Sequence, residues 1–395
     1  MTIKNSIRQA FQKMEPIVGG YTSPLGTPQY TDRTDYEKIV VEGYKKNAVF
    51  YTATNLKADS FADLGYTVEV NGEAVEDHPL QLLLDNPNED QGATEFRREQ
   101  SIHFDLGGAV FTQIPNASES RKAVFLNNIV PRWVEVLSGG SLSPIGGFRV
   151  QVKGGYRDIP KSEMIYVRNI DPMDKWSHYA PIMSAASLID LNNAQVGWNL
   201  SVIQNGGKSE HAFTGFTSSE EAKQFRDVNQ RQTKGFMNAG KDLYLSDIKV
   251  TRLGFDSKEM DWLEGYKEVK RDIGMICGVP SDFLNDSSNK TYNNYETSIK
   301  AFIHQVIVPR GRLLCDAYNL RLAPLYGDNV KVKVDYNSIE ALQGNLKERI
   351  EAGKLAYESN LTNRGEARGL AGLSAELSTD GDQRQSIPTR NVIEE

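Results

Sequence analysis

Between Asp256 and Leu322 the chain carries two helical repeats joined by a polar run, and the second repeat has a proline in its interior. Asp256 and Glu259 have the spacing of a capping box, a capping side chain with a glutamate three residues on. Met260, Leu263, Tyr266, Val269, Ile273 and Ile276 then recur every three or four residues and define one apolar helix face. Gly278-Val279-Pro280 stops that helix, because glycine suits the C-terminal cap and proline cannot continue it. The run from Ser281 to Thr291 is rich in Asn, Asp and Ser. Asn293 and Glu296 give a second capping signal, and Tyr295, Ile299, Phe302, Val306, Leu313, Ala317 and Leu320 restore the helical period. The period survives Pro309, which predicts a kink there and not an end. Alone, this is a helical hairpin, a common packing unit.

The remaining residues limit what the hairpin can belong to. A chain of 395 residues suggests two or three domains. No apolar run approaches the ~20 residues that span a bilayer, so no membrane partner is expected and the chain reads as one of an aqueous compartment. Ile3, Ile7, Phe11 and Met14 share a helical face with Lys4, Arg8 and Lys13 between them. This predicts a short amphipathic helix that docks on the body or on a neighbour; a secretory signal requires a continuous apolar core. Cys277 and Cys315 lie among apolar neighbours and read as buried free thiols.

Catalytic patterns are missing from the sequence. The five histidines are scattered, none paired at the i, i+4 spacing of a helical metal site, so neither a metal nor a cofactor is expected. Gly206-Gly207-Lys208-Ser209 ends like a phosphate-binding loop, but Val202 stands where the full motif wants glycine, and the segment closes a helix instead of opening one. The net charge is −7, and Lys and Arg alternate with Asp and Glu along the helices. Tight nucleic-acid binding needs a basic stripe. A protein that surrounds DNA without holding it does not.

In chain order, residues 16–36 read as an extended arm, and 36–54 as a helix. A strand over 64–70 leads into an Asn71-Gly72 hairpin turn. Short helices follow over 78–84 and 95–104, the second ended by Gly107-Gly108. Strands are expected over 109–114, 123–127, 132–137, 148–152 and 164–167, without a regular βαβ alternation, which argues for an α+β class. Pro181 opens a long helix to about Gln204. A compact insert over 208–253 holds a strand over 211–216, a capping box of Thr217 and Glu220, and strands over 242–245 and 248–253, so that a small αβ module projects between two long helices. A strand over 330–334, a charged helix over 338–359, a short helix from Asn363 fading at Gly372 and a disordered tail beyond Ser378 complete the reading.

The order of these parts, with six short motifs, resembles the portal (head–tail connector) proteins of tailed bacteriophages, in the small class also found in prophages and gene-transfer agents. The resemblance covers about 85–372. It rests on Asn86-Pro87-Asn88 before a helix, Gly107-Gly108-Ala109-Val110-Phe111, Ile129 to Val136, Glu163 to Arg168, Ile276-Cys277-Gly278-Val279-Pro280, and Leu361 to Leu373. Two positions depart: Tyr179-Ala180-Pro181 stands where the family usually has Gly-x-Ser-Pro, and Tyr166 where it has histidine.

The resemblance implies an α+β portal-like fold: an N-terminal helix and arm (1–36), a wing (37–180), a stem helix (181–207), a clip (208–254), a second stem helix (255–280), a tunnel loop (281–292), a kinked wing helix and strand (293–336), a crown (337–377) and a tail (378–395). It implies a ring of this chain, usually of twelve subunits, at one capsid vertex of a virion assembled in the host cytoplasm, with no enzymatic activity. Double-stranded DNA would pass through the channel, and the terminase large subunit, a head–tail adaptor and the major capsid protein would be partners. Asn285, Asp286, Ser287, Ser288, Asn289, Lys290 and Thr291 would face the DNA, with Lys290 the one base among them. Gly278, Pro280 and Pro309 would act as hinges, and Glu220, Glu221, Lys223, Arg226, Arg231 and Lys234 would meet partners at the clip. Two alternatives are a capsid-associated adaptor or scaffold through which no DNA passes, and a nucleotide-using enzyme built on 206–209.

Overall fold

A computed structural model describes residues 36–117, 122–139, 145–174, 176–204, 211–214, 220, 223–225, 227, 249–252, 262–284, 292–339 and 346–371. The chain enters through a short helix, α1 (Tyr36–Ile39), which runs into a π turn (Val40–Lys45); α2 (Ala48–Ala62) follows. The single helix expected over 36–54 is therefore two. Asn47 separates them: its side-chain oxygen accepts from the Phe50 N–H at 2.9 Å and caps α2. Its amide donates to Asn192 and Asn193 of a later helix at 3.0 and 3.1 Å, fixing the break in place.

The strand β1 (Gly65–Val70) turns through Asn71 and Gly72, both at positive φ (56° and 90°), into β2 (Glu73–Ala74). This is the hairpin that the Asn-Gly pair predicts. On its other edge β1 pairs antiparallel with β11 (Val330–Asp335), giving the order β11-β1-β2. Helices α3 (Pro79–Asp85, capped by His78) and α4 (Ala93–Gly107) come next. Gly108 ends α4 at φ 75°, and a side chain there would meet the Tyr179 backbone at 2.5 Å, so glycine is required on both counts.

β3 (Ala109–Gln113) sits between β4 (Asn127–Ile129) and β8 (Met164–Arg168). Alternation along β3 sends Val110 into the main core and Ala109 and Phe111 into a second core. β8 divides likewise, with Ile165 and Val167 on one side and Met164 on the other. This sheet is thus the wall between two cores. A separate meander, β5 (Val134–Ser138), β6 (Ile145–Val152) and β7 (Gly155–Pro160), closes the second core through Phe148, Val150 and Ile159.

One strand expectation, over 123–127, needs correction, and one strand is unexpected. Residues 123–126 form no strand, because the Leu126 backbone is already bonded elsewhere: its N–H donates to the Pro87 carbonyl at 2.6 Å and its carbonyl accepts from Asn88 Nδ2 at 3.1 Å. β7, in turn, is absent from the sequence reading. Its residues are mostly exposed, with Ile159 alone buried, so little apolar pattern marks it.

Helix α5 (Ile182–Gln204) starts just after Pro181, as expected, and packs on α6 (Trp262–Cys277) and on the π turn. Between them β9 (His211–Thr214) pairs antiparallel with β10 (Lys249–Arg252), the first and last expected strands of the insert; Thr217 of the Thr217–Glu220 box, the 242–245 strand and the Asp256–Glu259 box fall outside the described residues. Helix α7 (Tyr292–Phe302) continues through a second π turn (Ile303–Ile307) into α8 (Val308–Arg321). Since α7 already starts at Tyr292, Asn293 lies within its first turn and is not its cap. After β11 a 3₁₀ turn covers Tyr336–Ser338, and α9 spans Leu346–Glu358, so the helix expected from Ser338 starts later. α10 (Arg364–Leu370) is capped by a reciprocal box between Asn363 and Glu366. Cys277 and Cys315 are buried and unbridged.

Candidate functional site

Of the residues selected from the sequence, Gly278 and Pro280 lead into the 285–291 segment, and Pro309 lies on the helix that leaves it. α6 finishes on Gly278, at φ 70°, with its N–H donating to the Met275 carbonyl at 2.9 Å; Val279 N–H donates to the Gly274 carbonyl at 2.8 Å. A side chain on Gly278 would sit 3.1 Å from Val306 in the π turn, so the helix end and that turn touch through the glycine. Pro280 leads into a 3₁₀ turn, Ser281–Leu284, which folds back on α6 and buries Leu284. The polar loop expected from Ser281 therefore begins as ordered structure. Phe283 is held edge-on between two rings of α7, 5.4 Å from Tyr295 at 72° and 5.7 Å from Phe302 at 88°. Such pairs contribute about 0.5–1.5 kcal/mol each beyond the area they bury. Asp282 accepts from Ser298 Oγ at 3.2 Å. Both ends of the segment are thereby tied to one another.

Pro309 continues the helix, and the irregularity it causes lies before it. Lacking an N–H and crowding the carbonyl four residues back, a proline disrupts the preceding turn. The chain responds by widening: the Val308 N–H reaches the Ile303 carbonyl, five residues back, across the π turn.

Directly after the proline, Arg310 enters a buried ion triad. Its Nη2 lies 2.7 Å from Asp105 Oδ1, and Lys57 Nζ lies 2.9 Å from the same oxygen. The side chains of Lys57, Asp105 and Arg310 keep 5%, 2% and 10% of their surface exposed. Arg310 also donates to Ser101 Oγ at 2.8 Å and lies 4.9 Å over the Phe104 ring. Burial works to raise the Asp105 pKa, but Arg310 and then Lys57 outweigh it and hold the carboxyl below its usual range. The triad locks α8 to α4 and α2 one residue beyond the widened turn. Farther along α8, Tyr318 bonds Gln100, Gln100 bonds Thr112, and Thr112 bonds Asn128, at 2.8–3.3 Å throughout. This polar chain crosses from α8 through α4 to the β4-β3-β8 sheet.

Of the expected site residues, Gly278, Pro280 and Pro309 are placed at this junction. Glu220 and Lys223 are exposed. Asn285 to Thr291, with Glu221, Arg226, Arg231 and Lys234, lie outside the described residues, as does Gly206 to Ser209. The triad escaped the sequence reading. Its one signal there is Lys57, a charge that follows Ala53 and precedes Phe61 at helical spacing on an otherwise apolar face. Among the described residues no group of three or more His, Cys, Asp or Glu could hold a metal ion, and no helix is long and apolar enough to cross a membrane.

Comparison with known proteins decides what this architecture is. The model of the phage portal protein family matches residues 48–372. The chain belongs to the phage portal protein family. It is 25% identical, over 359 residues, to an uncharacterized protein of Rickettsia felis, covering 87% of this chain and 91% of that one. Its fold is similar to a chain in the neck of a native gene transfer agent particle solved with C12 symmetry (TM-score 0.63, 20% identity, 90% of this chain and 96% of that one). It is also similar to an HK97 family phage portal protein from Corynebacterium diphtheriae (TM-score 0.56, 12% identity, 78% and 96%).

The portal motifs acquire physical reasons in this fold. In Asn86-Pro87-Asn88, Asn88 Oδ1 accepts from the Asp90 and Gln91 N–H groups at 3.0 and 2.8 Å while its amide holds Leu126. The motif is a clasp between the start of α4 and the strand that follows. Tyr166, the departure from the family histidine, stacks on Phe111 at 4.8 Å and 7°, and its hydroxyl lies 3.0 Å from His178 Nδ1. Burial pushes its phenol up to about 12, so it stays neutral in the second core.

Proposed function

We propose that this chain is the portal subunit of a phage-like particle, forming a ring of twelve at one capsid vertex and conducting double-stranded DNA without enzymatic chemistry. The observation that carries the reading is the family match over 48–372, joined to an element order in which α5 and α6 flank the β9–β10 insert. The C12 symmetry of the similar neck supports the subunit number. On this reading the sheets with α2, α4 and α8 form the wing, α5 and α6 the stem, the insert the clip that meets the terminase large subunit and afterwards a head–tail adaptor, and α9 and α10 the crown. The wing would sit against the major capsid protein.

The 285–291 segment would face the DNA. A conduit must let a polyanion slide, and strong phosphate contacts would stall it. A run of Asn, Ser, Thr and Asp with the single base Lys290 offers hydration and little attraction, and the pinned ends hold it at one place on the rim.

Electron microscopy of the purified protein tests the ring. Rings with a central hole wide enough for duplex DNA are expected; monomers or dimers at every concentration and salt would refute the reading. Deleting 285–291 should leave rings intact while packaging or retention of DNA falls. Unimpaired packaging would instead favour an adaptor through which no DNA passes.

A further inference from the structure

Beside the pinned ends lies a groove of about 740 Å³ that nothing in the described residues fills. Its floor is apolar: Leu56 from α2, Phe283, Tyr295, Ile299 and Phe302 from the junction, and Ile339 after β11. Tyr295 leaves 45% of its surface exposed there. Its one charged lining residue is Asp63, and neither lysine nor arginine lines it. A pocket of this size and lining is of the kind that takes an apolar ligand or side-chain cluster.

We propose that the groove seats the chain's own amino-terminal segment. The first 14 residues carry one apolar stripe, Ile3, Ile7, Phe11 and Met14, flanked by Lys4, Arg8 and Lys13. Stripe matches floor, and the flanking bases meet a lining with one carboxylate, Asp63, and no competing lysine or arginine. Chain length allows it. The arm over 16–35 has a flexible-chain span of about 25 Å and an extended reach of about 70 Å, against no more than about 36 Å of helical rise from Tyr36, where it joins the body, to Ser60. Tethering raises the effective concentration of the segment at its own groove to the millimolar range. Because Phe283 and Tyr295 line the groove, an occupant holds both rings in place. The assignment does not depend on the ring.

Hydrogen exchange read by mass spectrometry tests it on the full chain, a chain lacking residues 2–15, and Ser60→Arg, a groove-lining change that crowds the seat and repels its bases. Peptides covering 281–284 and 295–303 should exchange about tenfold faster in both variants than in the full chain. A synthetic peptide of residues 1–15 should restore protection to the shortened chain, and the same peptide with Ile7→Ser and Phe11→Ser should not. Equal exchange in all three proteins, or rescue by both peptides, overturns the proposal. So does protection in a mixture of shortened and Ser60→Arg chains, where only a segment reaching a neighbour's groove could act. Micrographs of the same samples separate this from the ring: rings with unchanged exchange defeat the groove assignment alone, and groove protection without rings defeats the portal reading alone.

Discussion

Asp105 is one carboxylate holding two buried cations, and this count predicts an order of mutational effects that simple contact loss does not. Asp105→Asn leaves Lys57 and Arg310 buried beside each other without a counter-charge. Breaking a buried pair in this way costs about 3–5 kcal/mol, against a total stability of roughly 5–15 kcal/mol. Lys57→Met leaves a neutral Asp105–Arg310 pair with its 2.7 Å contact and should cost about 1 kcal/mol. Arg310→Met falls between them, since it also loses Ser101 and the Phe104 face. Thermal unfolding at pH 7 and fixed protein concentration should show Asp105→Asn melting lowest, by about 6–20 °C at roughly 2–4 °C per kcal/mol. The Asp105 pKa is depressed in the folded state, so its contribution is present above the unfolded value near ~3.9 and is lost as pH falls through the folded one. The gap between wild type and Asp105→Asn should therefore close on acidification below about pH 4. Lys57→Met destabilising as much as Asp105→Asn, or a gap that widens in acid, would refute the charge count.

At the junction, Gly278→Ala should destabilise by about 1 kcal/mol, because φ 70° is strained for any side chain and the added carbon meets Val306; a denaturant midpoint unchanged from wild type would contradict it. Phe283→Ala removes two edge-to-face pairs and should loosen both ends of 285–291 by about 1–3 kcal/mol, read as faster exchange over 281–284 and 295–302 with the β3 sheet unaffected. Pro309→Ala restores an N–H that the Gln305 carbonyl can accept, so the turn over 303–307 should tighten to α geometry, which a crystal structure of the variant would display or deny. Burial pushes the Cys277 thiol to about 11 and the Cys315 thiol to about 12. Both should resist a thiol reagent at pH 8 in the native protein. Native stability should fall above about pH 9, where the unfolded chain ionises its thiols and the folded one does not.

What was legible in the sequence tracks how local the controlling physics is. The Asn71-Gly72 hairpin, the start of α5 after Pro181, the end of α6 at Gly278 and the helical continuity through Pro309 follow from backbone preferences of one or two residues. Residues 123–126 misled because their β-prone composition was overruled from a distance by Pro87 and Asn88. β7 stayed hidden because an edge strand with one buried side chain has no apolar rhythm to read. The clamp on Phe283 required rings from both sides of the 285–291 segment, and the triad joined positions 48 and 205 residues apart. The resemblance identified the family because motif order survives where individual contacts cannot be inferred.

The ties from Asp282 and Phe283 to Tyr295, Ser298 and Phe302, on either side of 285–291, set a mechanical limit. Seven residues anchored at both ends extend away from their base by no more than about 14 Å, half of the eight steps of roughly 3.3–3.6 Å between Leu284 and Tyr292. In a ring, opposing tips together would narrow or widen the aperture by at most about 28 Å, whatever residues they carry. On the portal reading proposed above, substitutions within 285–291 would alter friction on a passing polymer but not stroke length. Stroke would be set by the number of residues between the anchors, and one residue inserted or removed would change it by about 1.7 Å per subunit.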